Sequence, residues 1–356
     1  MTKICLITDT HWGARSDNVI FLDYTKTFLD EIFFPYIDKH NIKYVFHLGD
    51  LVERRKYVNY YTATRLRQDF LEQLQVRGVE VDILAGNHDV YYKDTNTINA
   101  LHELVRGAFP TFKIHTEATE IEIDGVPILL VPWINQENRA HTLKLIKKTK
   151  SQICFGHLDL TGFEMRRGVI EKDGEDPGTF GKFDVCLSWH FHHKHSHSNI
   201  HYLGAPLEFD WSDYSDPKGF HIFDTATRGL EFIENPFVIF KKIWYNDKDK
   251  SIKEVVADFN FDAYTGCFCK LIIEEKTNPY WFDLFIEKLE AAELSNLQIV
   301  EDHRNLDIEN DADIISSAED TFTIFRKAIE GMSGDIDKDG LVGVISELYQ
   351  EALSLE

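Results

Sequence analysis

Five short apolar runs in the first 200 residues each end in side chains that bind metals or protons, and this recurrence restricts the fold more than any other feature. "KICLIT" is followed by Asp9 and His11, "YVFHLG" by Asp50, "VDILAG" by Asn87, His88 and Asp89, "QICFG" by His157, and "DVCLS" by His190 and His192. Short runs rich in β-branched and aromatic residues and bounded by turn formers are strand patterns. Helical patterns at 18–38, 61–77, 96–106 and 137–149 alternate with them, so a layered α/β architecture is expected. Ligands of such sheets bind at the carboxyl ends of the strands, where side chains from several strands converge on a rigid scaffold.

Asp9, His11, Asp50, Asn87, His157, His190 and His192 make seven oxygen and nitrogen donors. One tetrahedral zinc cannot use so many, whereas two ions about 3.5–4 Å apart and sharing a carboxylate can. Asp50 is the natural bridge. A mixed oxygen and nitrogen set without thiolate favours a borderline-hard ion such as manganese, with iron and zinc as alternatives. Asp9 and His11, like His190 and His192, lie two apart, so an extended chain would turn each pair to one side. Such a pair of ions binds a phosphate ester, lowers the pKa of a bound water and stabilises charge on phosphorus. His88 is placed to give a proton to the leaving oxygen, with Asp89 orienting its ring. The run "SWHFHHKHSHSNIHY" also holds His193, His195, His197 and His201, which parity and position assign to packing or solvent. His47, inside a strand, is read as a core residue.

Lysine and arginine number 38 against 60 aspartate and glutamate, a formal charge of −22, which excludes a protein that holds DNA through a broad basic surface. Local candidates for phosphate contact remain in Arg54 and Arg55, after Asp50, and in Arg166 and Arg167, near His157. Arg55 is the strongest of them. The five cysteines sit mostly in apolar runs and are read as buried free thiols; Cys267 and Cys269 lack a second pair at zinc-ligand spacing. No apolar run approaches the ~20 residues that span a bilayer, and a soluble protein of the cytoplasm is expected.

The strings "DTHWG", "GDLVERR", "GNHD", "GHLDLTGF" and "WHFHH", in this order, resemble the calcineurin-like metallophosphoesterase superfamily. Within it, "VPW", "HFH", "YLGAP" and "DPKGF" are similar to the SbcD-type DNA repair nucleases, on the side of the tailed-phage recombination endonuclease subunits. The resemblance covers roughly residues 3–235. It implies a four-layer α-β-β-α sandwich, with one metal held by Asp9, His11, Asp50 and His192 and the other by Asp50, Asn87, His157 and His190. His88 takes the place of the catalytic histidine. The implied activity is manganese-dependent duplex exonuclease and single-strand or hairpin endonuclease, with a coiled-coil SbcC-type ATPase as partner, a homodimer through the nuclease domain, and a bacterial host's cytoplasm as location. A stand-alone nucleotide phosphodiesterase or phosphatase is the alternative. Trp189 stands where the family has glycine and is expected to restrict the turn and shift His190. Glu53 stands where many relatives carry a histidine.

Past Pro236 the pattern changes to strands, a helix at 279–293 and a further strand, a small α+β capping unit over 236–305 suited to DNA recognition. Residues 306–356 read as an acidic linker and a helical hairpin that either packs on its own domain or, as the family layout implies, grips the root of the ATPase's coiled coil. Residues 1–235 form the nuclease domain in this division, and helix 18–38, rich in aromatics, is the candidate for self-association.

Overall fold

The computed structural model describes residues 2–166, 169–301 and 341, with the side chain of Arg166 left out. The C-terminal hairpin and Arg167 therefore lie outside the described residues. In chain order the strands are β1 Lys3–Ile7, β2 Tyr44–His47, β3 Glu80–Leu84, β4 Phe112–His115, β5 Thr119–Ile123, β6 Val126–Val131, β7 Ile153–His157, β8 Glu164–Arg166, β9 Val169–Ile170, β10 Val185–Trp189, β11 His195–His197, β12 Ile200–Tyr202, β13 Gly219–Asp224, β14 Leu230–Glu234, β15 Phe240–Asn246, β16 Phe268–Glu275 and β17 Asn296–Val300. Two six-stranded sheets are built from them, in the orders β14-β13-β1-β2-β3-β4 and β11-β12-β10-β7-β6-β5. β1 to β4 run parallel, as do β6, β7, β10 and β12, and the remaining edges are antiparallel.

Strand alternation decides how the sheets stack. Ile4, Leu6, Phe46, Leu48 and Leu84 of one sheet share a core with Ile128, Leu130, Phe155, Leu187 and Trp189 of the other. The intervening residues face outward: Cys5, Ile7, Val45 and Ile83 lie against the helical stretches around Phe21–Phe34 and Leu66–Leu74, while Leu129, Cys154 and Cys186 cover Ile146 and Phe180. The result is a four-layer α-β-β-α sandwich. All five cysteines are buried and free.

Helix 18–38 differs from expectation in what it exposes. It runs as Val19–Phe28, a π-turn Leu29–Phe33 and Phe34–His40, and its aromatics Phe21, Phe28, Phe33 and Phe34 are buried. Phe21 meets Phe240 and Phe268 of the following unit, with ring centroids 6.2 and 5.4 Å apart, so the helix is covered on two sides. Its phenylalanines are therefore not available for self-association, and of its aromatics only Tyr24 and Tyr36 are partly exposed.

β15, β16 and β17 form a separate parallel sheet over the helix Pro279–Ala291, with Phe282, Phe285 and Leu289 buried among Ile243, Tyr245 and Leu271. Asn278 caps that helix, accepting from the backbone N–H groups of Tyr280 and Trp281 at 3.1 and 3.2 Å. No helix among the described residues is long and apolar enough to cross a membrane.

Trp189 closes β10 in register with His157 and is 1% exposed in the core between the sheets. Trp189→Ala should lower stability by about 3–5 kcal/mol through the cavity it leaves, read as a reduced unfolding midpoint in urea.

Candidate metal centre

The donors predicted from sequence follow parallel strands, three in one sheet (β1, β2, β3) and two in the other (β7, β10). Their carboxyl ends meet at one edge of the sandwich, where the predicted donors fall into two groups, with a third of His11, Glu53 and His88 adjoining them. Asp9, His11 and His192 each offer a ligand atom within 4.8 Å of the others, and so do Asp50, His157 and His190. Asn87 joins the second, with Oδ1 3.0 Å from Nε2 of His157. Asp50 lies between the groups: Oδ2 is 3.3 Å from His157 Nε2 and 4.0 Å from His11 Nε2, while Oδ1 accepts from the backbone N–H of His88 at 2.8 Å.

The backbone that achieves this is not extended. Asp9, His11, Asp50 and His190 have φ of 43°, 43°, 51° and 103°, a left-handed region costly for residues with a Cβ and typical of functional sites. Strand alternation therefore does not explain why Asp9 pairs with His11, and His190 and His192 divide between the two groups. The turn at the end of β10 is made by His190 itself. Trp189 stays in the core, and His190 keeps its place beside His157, with ring centroids 5.2 Å apart. Two glycines make room for the cluster. A Cβ on Gly49, at φ +112°, would meet Nδ1 of His157 at 2.2 Å, and one on Gly86 would meet Oδ1 of Asp50 at 2.2 Å.

The charges inside the site are sharply divided. Burial opposes a positive His11, yet the carboxylates of Glu53, Asp50 and Asp9 raise it to about 10. Burial likewise opposes a positive His157, and Asp50 raises it to about 9. His190 and His192 are pushed down to about 3, by burial and then by His157 and His11 respectively. Burial alone would raise Asp50, but the neighbouring His157 and His88 hold it well below the carboxylate range. Asp9 is raised by burial to about 6. Each group thus contains one imidazole that attracts positive charge and one kept neutral.

His157 donates from Nδ1 to the carbonyl of Leu48 at 2.9 Å, which turns Nε2 toward Asp50 and Asn87. His88 is held by its Nδ1, 2.6 Å from the carbonyl of Glu53. This corrects the expected role of Asp89, whose buried carboxylate accepts from the backbone N–H groups of Val52 and Gly86 at 3.1 and 2.9 Å. It braces the turn that carries Asn87 and His88 and does not orient the ring. His47 is a core residue whose Nε2 lies 2.9 Å from the Thr10 hydroxyl.

Of the arginines, Arg54 is engaged with Asp17 at 3.3 Å and with the Tyr57 hydroxyl. Arg55 lies over Trp133 of the "VPW" segment, 5.3 Å from the ring centroid, and its buried Nη1 has no hydrogen-bond partner among the described residues. Two further groups bear on the site: Glu53, which stands in place of the family histidine, and Lys218, for which no role was expected. Glu53 places a carboxylate oxygen 2.7 Å from Nδ1 of His11. Lys218 of "DPKGF" is buried, with Nζ 2.6 Å from Asp213, 2.9 Å from Asp216 and 2.9 Å from the carbonyl of His192.

Residues 2–210 match the family described as calcineurin-like phosphoesterase. The chain belongs to that family. This calcineurin-like phosphoesterase is 28% identical over 357 aligned positions to "Exonuclease subunit 1" of Enterobacteria phage T4, covering 98% of this chain and 99% of that one. Among solved structures it overlaps an archaeal phosphodiesterase at 14% identity and a TM-score of 0.31, covering 66% of this chain and 100% of the other. A protein of unknown function from Aquifex aeolicus overlaps at 17% identity and 0.24, covering 44% and 78%. Overlaps of that size carry no argument.

Family membership makes the chain a metal-dependent phosphoesterase, and the residues fit divalent ions. Oxygen and nitrogen donors without thiolate converge. Thr8 donates to Oδ2 of Asp9 at 2.8 Å, while Oδ1 is buried with no hydrogen-bond partner among the described residues, an acceptor that a cation would satisfy.

Lys218→Met would leave Asp213 and Asp216 buried without their cation and should cost about 3–5 kcal/mol. A drop in the unfolding midpoint of the purified variant checks this.

Proposed function

We propose that this phosphoesterase is the nuclease subunit of a two-component DNA recombination and repair machine, working with two Mn2+ ions. The observation that carries the reading is the pair of oxygen and nitrogen clusters on either side of the Asp50 carboxylate, an arrangement suited to a phosphodiester held across two cations. DNA as substrate is supported by the likeness to an exonuclease subunit over 98% of the chain, well past the phosphoesterase domain. In this reading residues 1–235 are the nuclease domain, 236–305 a capping unit that meets DNA and 306–356 the tether to an SbcC-type ATPase. Cleavage acts exonucleolytically on duplex ends and endonucleolytically on single strands and hairpins.

When bound, a pair of divalent ions supplies Lewis acidity toward the phosphate and a nucleophile at neutral pH. Asp9, His11 and His192 would hold one ion and Asn87, His157 and His190 the other, with Asp50 shared between them. His88, anchored through Nδ1 to the Glu53 carbonyl, delivers a proton from Nε2 to the departing oxygen. Arg55, braced on Trp133, meets a phosphate oxygen through the guanidinium whose Nη1 has no hydrogen-bond partner among the described residues. Arg166 and Arg167 are further candidates for contact with DNA phosphates. A homodimer through the nuclease domain is part of this reading.

Purified protein with Mn2+ should degrade linear duplex DNA; cleavage of mononucleotide esters with no action on DNA would instead identify a stand-alone phosphodiesterase. His88→Ala should keep its two ions and lose cleavage by about 100-fold or more, measured as metal stoichiometry and rate on the same preparation. Loss of both ions would make His88 a ligand.

Deleting 306–356 should spare manganese-dependent cleavage and abolish co-purification with the ATPase. Recovery of the ATPase with the truncated chain would remove the hairpin as tether.

A further inference from the structure

Glu53 follows Asp50 by three residues, and its main chain is fixed on both sides: its N–H donates to the Trp12 carbonyl at 3.0 Å and its carbonyl receives the His88 ring at 2.6 Å. The side chain is thereby aimed at His11. One carboxylate oxygen stands 2.7 Å from Nδ1 of that ring, which is itself only 3% exposed. The other nitrogen, Nε2, faces Nε2 of His192 at 3.0 Å and Oδ1 of Asp9 at 3.9 Å. A carboxylate this close to Nδ1 favours the proton on that nitrogen, so that when the ring gives up its second proton to take a cation, the lone pair is left on Nε2. The opposite half of the site is built differently. His157 gives its Nδ1 proton to the neutral carbonyl of Leu48, so the two halves have outer partners of different charge.

We propose that Glu53 is a positioning residue: it commits His11 to present Nε2 to the cation of the Asp9–His192 half, and strengthens cation binding in that half alone. This inference rests on the assignment of the two clusters as the metal sites. Its specificity is what makes it testable, because the Leu48 carbonyl and the His88 anchor are main-chain contacts that a change at the Glu53 side chain leaves in place.

The test is calorimetric titration of metal-free full-length protein with MnCl2, alongside the unfolding temperature of the metal-free form. Glu53→Met should weaken one of two binding events roughly 10–100-fold and leave the other within about twofold, with the unfolding temperature of the metal-free protein held. Glu53→Gln, which keeps an acceptor for Nδ1 without its charge, should fall between Met and wild type. If Glu53→Met titrates like wild type, or if both events are lost together with a lowered unfolding temperature, the residue does not position His11 and the proposal is overturned. Wild-type protein that takes up fewer than two ions overturns the cluster assignment itself, and the Glu53 inference with it.

Discussion

A buried carboxylate that two groups of imidazoles approach from opposite sides is the constraint around which this molecule is arranged. Asp50 is 1% exposed, and an isolated ionised carboxylate at that depth would be costly. Its charge survives because His157 stands 3.3 Å away, His11 4.0 Å away, and the backbone N–H of His88 donates at 2.8 Å. Each partner arrives from a different strand end. Moving any of those ends removes a compensating charge, so the loops after β1, β2, β3, β7 and β10 are fixed by electrostatics as much as by chain geometry.

The strained backbone follows from the same requirement. Left-handed φ at Asp9, His11, Asp50 and His190 costs on the order of 1–3 kcal/mol per residue and must be offset by the contacts around it. The offsetting contacts are visible: Asp9 and His11 donate their N–H groups to the carbonyls of Gly49 and Asp50 at 3.0 and 3.2 Å. Lys218 holds the carbonyl of His192, and Asp216 holds the ring of His193 at 3.0 Å. A single buried lysine with two aspartates thereby anchors the loop that brings the last two histidines in.

Much of this was legible in the chain. Apolar runs ending in polar donors located the central strands and the edge where the donors converge, and the sandwich followed from the family resemblance. The misses have physical causes. β4, β5 and β14 are edge strands whose residues are mostly part-exposed, so charged residues interrupt them and they lack the apolar runs by which the central strands were found. Helix 18–38 shows one apolar face by periodicity, yet Phe21 also meets Phe240 and Phe268, a second covering that no local pattern announces. Asp89 looked like a partner for the adjacent His88 because neighbours in sequence seem to be neighbours in space. Its carboxylate turns back instead to Val52 and Gly86. Glu53 and Lys218 act through a ring nitrogen and a backbone carbonyl on distant segments, which spacing cannot reveal.

The seam between the two sheets has one more consequence. Asp9 and His11 come from the first sheet and His192 from the second; Asp50 comes from the first, His157 and His190 from the second. Neither sheet contains a complete donor set for either half of the centre. The centre is therefore a property of the docked sandwich rather than of any supersecondary unit. A chain divided anywhere between β4 and β7 would leave neither piece with a complete donor set for either half.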